Sequence, residues 1–219
     1  MSHTLDFRLL PSVSYGRASM RLDDDVAARV ASLTRLSERA SNAVRFAYWA
    51  GGTSDVLRCP ESEVQQLREG CFRAALTEFT SMEEVQVLDY KDRNIARMPL
   101  KLNETSNPLL HLFRELRNLE VHLRHSELRS VQKDVLWGHR DRPDEATKGI
   151  MEIWILDGVT PQSFGMLWNA KHYTPNQIDQ MISWLNATQE QWGIQEVFLL
   201  AVEEYCRLIE NELKRSDSD

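Results

Sequence analysis

The stretch from Leu109 to Leu128 constrains the fold most, because twenty residues run without a glycine or proline. Leu109, Leu112, Leu116, Leu119 and Leu123 recur there at three- and four-residue intervals, so they share one face of a helix and predict a buried stripe. Asn107-Pro108 supplies the start signal: an amide side chain that caps free N–H groups, then a ring already set at the helical φ. The same reasoning predicts a long helix of about 25–28 residues, roughly 40 Å, from the Asp23-Asp24-Asp25 run to Gly51-Gly52. Another, amphipathic helix opens at Pro60, with Val64, Leu67, Cys71, Ala74, Ala75 and Phe79 at helical spacing. One from Thr174-Pro175 reaches about Gln189, with Ile178, Met181, Ile182 and Leu185 inward. The last spans about Ile194 to Leu213, with an apolar face broad enough for the centre of a bundle. Residues 84–107 fit either strand or frayed helix.

Between the third and fourth of these helices the pattern turns β-like. Arg129–Trp137 and Gly149–Leu156 flank the polar, turn-rich segment GHRDRPDEATKG and predict a hairpin with a long loop, closed by Asp157-Gly158. The expected fold is therefore mostly α: a bundle of four to five helices with a β-hairpin insertion near 129–157. Residues 1–21 form an N-terminal arm, either ordered or an edge strand. Residues 22–214 form a single domain, and 215–219 a frayed tail.

Net charge is −7, which gives no general attraction to nucleic acid or anionic membrane, so any such contact needs a local basic patch. The three cysteines, Cys59, Cys71 and Cys206, show neither disulfide nor zinc spacing and read as free thiols of a reducing compartment. No apolar run is long enough for a signal core or a membrane span, and a cytoplasmic location is expected. Dinucleotide-fold, P-loop, serine-hydrolase and zinc-protease motifs are all missing from the sequence. No cofactor or metal is expected; His122 and His125 stand three residues apart with no carboxylate in a ligand pattern.

The side of the leucine helix away from its apolar face is unusual. His111, Arg114, Asn118, His122 and His125 fall within an arc of roughly 60°. Arg117 and Arg124 flank them, and this helix contains no lysine. Three of the chain's six histidines lie on this arc, so the stripe is basic and imidazole-rich in a chain that is acidic overall. His139-Arg140-Asp141-Arg142 in the hairpin loop reads as a solvated turn, with an RNA-touching tip as the alternative, and His172 before Tyr173-Thr174-Pro175 as a packing or capping residue. Tyr48, Trp49, Trp154, Trp168, Trp184 and Trp192 read mostly as packing.

The segment Arg117-Asn118-Leu119-Glu120-Val121-His122 resembles the Arg-x4-His motif of HEPN domains, including a polar residue directly after the arginine. The position two after the histidine, a tyrosine in some toxins of this group, is Arg124 here. The resemblance implies a helical bundle, often a homodimer. It implies metal-independent endoribonuclease activity in toxin–antitoxin or phage-defence systems, or a non-catalytic module binding a protein, nucleotide or RNA. His122 would then move a proton, since an imidazole titrates near neutrality. Arg117 would grip phosphate and Asn118 would orient the imidazole. Arg114, His125 and His111 would hold RNA backbone. Arg117 and His122 point about 140° apart on an ideal helix, so a composite cleft between two copies is the expected way to bring them onto one phosphate. An antitoxin-type protein is the expected further partner. A third reading is an unrelated helical protein whose stripe is a dimer interface.

Overall fold

The computed structural model describes residues 3–12, 23–51, 57–120, 127–137 and 147–216. Seven helices lie among the described residues: α1 (Asp23–Ala28), α2 (Thr34–Ala50), α3 (Glu61–Asp92), α4 (Pro108–Asn118), α5 (Pro161–Gly165), α6 (Pro175–Trp192) and α7 (Ile194–Ser216). Strands β1 (Glu127–Trp137) and β2 (Thr147–Asp157) form an antiparallel hairpin, with Glu127 opposite Asp157 and Trp137 opposite Thr147. The mostly helical bundle with a β-hairpin is thus observed. None of the described helices is long and apolar enough to cross a membrane.

The single helix expected from Asp23 to Gly51 is two helices, broken where Leu33 adopts an extended conformation (φ −106°, ψ 92°). Leu33 cannot cap α2 with its own side chain, and a distant residue does so instead. The buried Asp89 carboxylate of α3 accepts from the Leu36 N–H at 2.9 Å and from Arg35 Nη1 at 3.0 Å. Arg35 also pairs with Asp92 at 2.7 Å, and Arg39 with Glu78 at 2.8 Å, so α2 and α3 lie antiparallel under three ion pairs. Residues 84–92 prove to be helix rather than strand. Their inward positions include the buried polar Gln86 and Asp89, which interrupt the hydrophobic period.

Phe198 on α7 sits at the centre of the core. Its ring meets Phe72 and Phe79 of α3 at 6.1 and 5.8 Å, and Phe113 of α4 at 5.4 Å, all edge to face. Asn107 caps α4 as expected, accepting from the Leu109 N–H at 3.0 Å, and Leu109, Leu112, Leu116 and Leu119 are buried. The helix ends sooner than its pattern suggested. It widens to a π-type turn at Leu119 and Glu120, and Glu127 and Leu128 already belong to β1. The capping box at Thr174 and Gln177 starts α6 where expected, whereas α7 runs past Leu213 to Ser216.

The hairpin is docked by side chains that imitate a strand. The Gln189 side chain on α6 accepts from the Leu156 N–H at 2.8 Å and donates to the Leu156 carbonyl at 3.0 Å, continuing the ladder. Beneath β2 the Arg68 guanidinium lies 3.8 Å from the Trp154 ring centroid. Gly193, between α6 and α7, has φ +81°, and a Cβ there would stand 3.3 Å from the Ile153 side chain, so glycine is required. Ile153–Leu156 are buried against the bundle, while Ile150 further along is 66% exposed. The loop residues 138–146, with His139-Arg140-Asp141-Arg142, lie outside the described residues.

Residues 3–12 form an ordered arm, the first of the two expected alternatives, with a short 3-10 turn at Phe7–Leu9. The Asp6 N–H donates to the Ser106 carbonyl at 2.8 Å, and Leu5, Phe7 and Leu10 pack against the core.

Asp89 carries the sharpest stability test. Asp89→Ala removes the only side-chain cap of α2 seen among the described residues and one partner of Arg35. The expected loss is about 2–3 kcal/mol, read as a lower urea midpoint. Asp89→Asn, which keeps an acceptor, is expected to lose less.

Candidate functional site

Three of the stripe residues open into a groove of about 520 Å³. α4 contributes Arg114, Arg117 and Asn118; α3 contributes Thr80, Glu83, Glu84 and Val87. The third wall, Met98, Pro99 and Lys101, comes from the connection between these helices. That connection is fixed from behind: the buried Tyr205 hydroxyl donates to the Leu100 carbonyl at 2.6 Å.

Glu115 organises the α4 wall. Its side chain is 1% exposed, yet it holds a carboxylate whose oxygens need donors. Arg114 Nη1 donates to it at 3.1 Å, Asn118 Nδ2 at 3.0 Å and Asn169 Nδ2 at 3.2 Å. The Asn118 amide oxygen in turn accepts from Arg117 Nη1 at 3.3 Å. Arg114 also reaches Glu83 at 3.8 Å across the groove. Burial raises the Glu83 carboxyl above its usual range, and Arg114 opposes that rise. The three groove cations are therefore Lys101, Arg114 and Arg117, faced by Glu83 and Glu84.

His111 does not join them, contrary to the expected backbone-holding role. It is fully buried, and both ring nitrogens are engaged: Nε2 with the Thr105 carbonyl at 2.9 Å and Nδ1 with the Tyr173 hydroxyl at 3.0 Å. A carbonyl can only accept, so a neutral imidazole carries its proton on Nε2 and accepts the Tyr173 hydroxyl at Nδ1. The stripe is one line on the helix surface, but its first turn is covered by the N-terminal arm and the turn Trp168–His172. The His3 ring stands edge-on to His111 at 4.7 Å, with His172 at 5.6 Å. Burial lowers the His111 pKa to about 4. His3 is also lowered, by burial and then by His172. Burial, followed by the charge of Glu115, pushes the Tyr173 hydroxyl up.

His122 and His125, with Arg124, lie outside the described residues. Among the expected site residues, the structure brings together Arg114, Arg117 and Asn118 and separates His111 from them. Sequence reasoning missed Glu115, Lys101, Glu83 and Asn169. Glu115 has a local signal, standing three residues before Asn118 and thus one turn away; the others arrive from distant segments. His172 packs on the arm, as expected of a packing residue, and Trp154 is buried. Trp168 is 81% exposed and departs from the packing role. The cysteines are free, and burial pushes the Cys206 thiol up to about 12, far from a reactive thiolate. The described residues hold no group of three side chains suited to a metal ion.

Fold and site together define a helical bundle with a docked β-hairpin and a mixed-charge groove on the polar side of its leucine-faced helix. No protein-family profile matches the chain, and no curated protein or solved structure resembles it significantly.

The buried imidazole makes stability depend on pH. His111 binds protons more weakly folded than unfolded, so its contribution is complete above pH 6.5 and is lost as pH falls towards 4. The expected loss through this group is about 3 kcal/mol over that interval. Urea midpoints at pH 7, 5.5 and 4.5 should fall steeply for the native chain. The fall should be shallower for His111→Gln, which retains a donor for the Thr105 carbonyl.

Proposed function

We propose that this protein is a HEPN-like, metal-independent endoribonuclease of a toxin–antitoxin or phage-defence type, acting in the cytoplasm as a homodimer. One observation carries the reading. Arg117 and Asn118, the first two residues of the Arg-x4-His segment, line an open groove with Arg114 and Lys101, in a chain whose overall charge is −7. Local cations at that place are what phosphate binding needs.

In this reading the 2′-oxygen of RNA bonds to the adjacent phosphorus and the P–O5′ bond breaks. The products are a 2′,3′-cyclic phosphate and a 5′-hydroxyl. The 2′-hydroxyl loses a proton and the departing 5′-oxygen gains one, and His122 serves as the proton-moving group. Arg117 stabilises the charge that builds on the phosphorane through its paired N–H donors. Asn118, held by Glu115, orients the reacting groups. Two copies facing each other bring Arg117 of one and His122 of the other to a common phosphate, with His125 and Arg114 along the strand and an antitoxin-type protein covering the cleft when activity is suppressed.

A second reading is favoured by the other wall. Glu83 and Glu84 face the cations, and the exposed Val87 and Met98 make the rim apolar. These features suit a non-catalytic HEPN-like module that binds a protein, nucleotide or RNA partner.

The two separate in an RNA cleavage assay in EDTA, using the native chain, His122→Ala and Arg117→Ala, each with its fold and mass verified. The nuclease reading expects a 2′,3′-cyclic phosphate product from the native chain and a fall of at least about 100-fold for either variant. Absence of cleavage by the native chain on several RNAs would leave the binding module.

A further inference from the structure

The turn Trp168–His172 displays a large aromatic ring between flanking residues that are buried. Phe164 and Leu167 before it, and Tyr173 after it, belong to the core. Backbone bonds from Ala170 to the Leu167 carbonyl and from Tyr173 to the Ala170 carbonyl, both 3.0 Å, lock its path. Capping boxes at Thr160–Ser163 and Thr174–Gln177 fix the helices on either side. Within this rigid frame Trp168 is 81% exposed and Met166 is 54% exposed. An indole shown this way forgoes the burial that its neighbour Leu167, and Phe164 four residues before it, obtain.

The ring is also held in place. Lys171 sets its ammonium 3.7 Å from the indole centroid, covering one face and leaving the rest open to solvent. Asn169, the next residue after Trp168, donates to Glu115, the carboxylate that also receives Asn118 and Arg114. Indole and groove are braced on a single buried charge.

We infer that Trp168 and Lys171 form a stacking platform for an unpaired nucleobase, on an RNA strand whose phosphates continue to Arg114 and Arg117. This rests on the RNA reading above and specifies its ligand as single-stranded. A flat π-face next to cations is the combination that grips single strands without reading sequence. A duplex conceals its base faces and offers the indole nothing to stack on. The cations of Lys171, Arg114, Arg117 and Lys101 complement the strand's phosphates, which an apolar protein partner would not require.

The test uses the full chain carrying His122→Ala, which prevents cleavage during the measurement. Binding of a fluorescein-labelled, unstructured mixed C/A 12-mer RNA is followed by anisotropy, and compared with Trp168→Ala and Trp168→Phe in the same background. Far-UV circular dichroism and urea unfolding verify the fold of each. Trp168→Ala is expected to weaken single-strand binding about 5- to 150-fold, with Trp168→Phe retaining most of it. A blunt duplex of the same sequence is expected to bind equally with and without the indole. Equal single-strand affinity for Trp168→Ala and its parent would overturn the inference, as would an equal loss on the duplex or no RNA binding at all. The nuclease reading is judged apart, by His122-dependent cleavage in EDTA. Cleavage with an unchanged KM in Trp168→Ala sinks the platform alone, and indole-dependent binding without cleavage sinks the nuclease alone.

Discussion

A carboxylate removed from water has to be surrounded by donors, and Glu115 is where this chain meets that requirement. Its oxygens take N–H groups from its own helix, through Arg114 and Asn118, and from the turn before α6, through Asn169. Losing one partner of such a group costs more than the pair contributes net, because the charge stays buried. The position of Asn118 is consequently set by a need of the interior, and that of Arg114 by the same need together with Glu83 across the groove. Tyr173 and His111 extend the same polar seam to the Thr105 carbonyl. A site whose side chains are set from behind in this way is preorganised before any ligand arrives.

The groove is a balance rather than a basic patch. Lys101, Arg114 and Arg117 face Glu83 and Glu84, and Arg114 is shared between Glu83 and Glu115. Any anion entering the groove would have to compete with Glu83 for Arg114, and such a competition weakens as ionic strength rises. The raised Glu83 carboxyl weakens that competition as pH falls, because protonation removes its charge. Cations alone therefore do not define what this surface accepts; the uncharged contacts around it share the task.

Much of the architecture was legible because its signals are local. Asn107-Pro108 and Thr174-Pro175 are start signals read within four residues, and both begin helices where expected. The hairpin followed from two β-like runs around a turn-rich segment. The break before α2 was not legible, since its cap is Asp89, more than fifty residues away in sequence. The strand-like look of residues 84–90 came from Gln86 and Asp89, polar side chains facing inward because Tyr90, Tyr205 and the α2 terminus need them. At the site, helical phase alone placed Arg114, Arg117 and Asn118 together. It failed for His111, because phase says which side of a helix a residue occupies and nothing about what the rest of the chain lays over it. The arm covering that turn begins more than a hundred residues earlier.

α3 ties together two places that the chain otherwise keeps apart. Arg68, under the Trp154 ring, and Glu83, in the groove, stand on one unbroken helix, separated by about 22 Å of rise. A helix resists stretching far more than a loop does, so that spacing behaves as a gauge length. Whatever engages the exposed outer hairpin and the groove together meets two jaws of a caliper whose opening is set by a residue count.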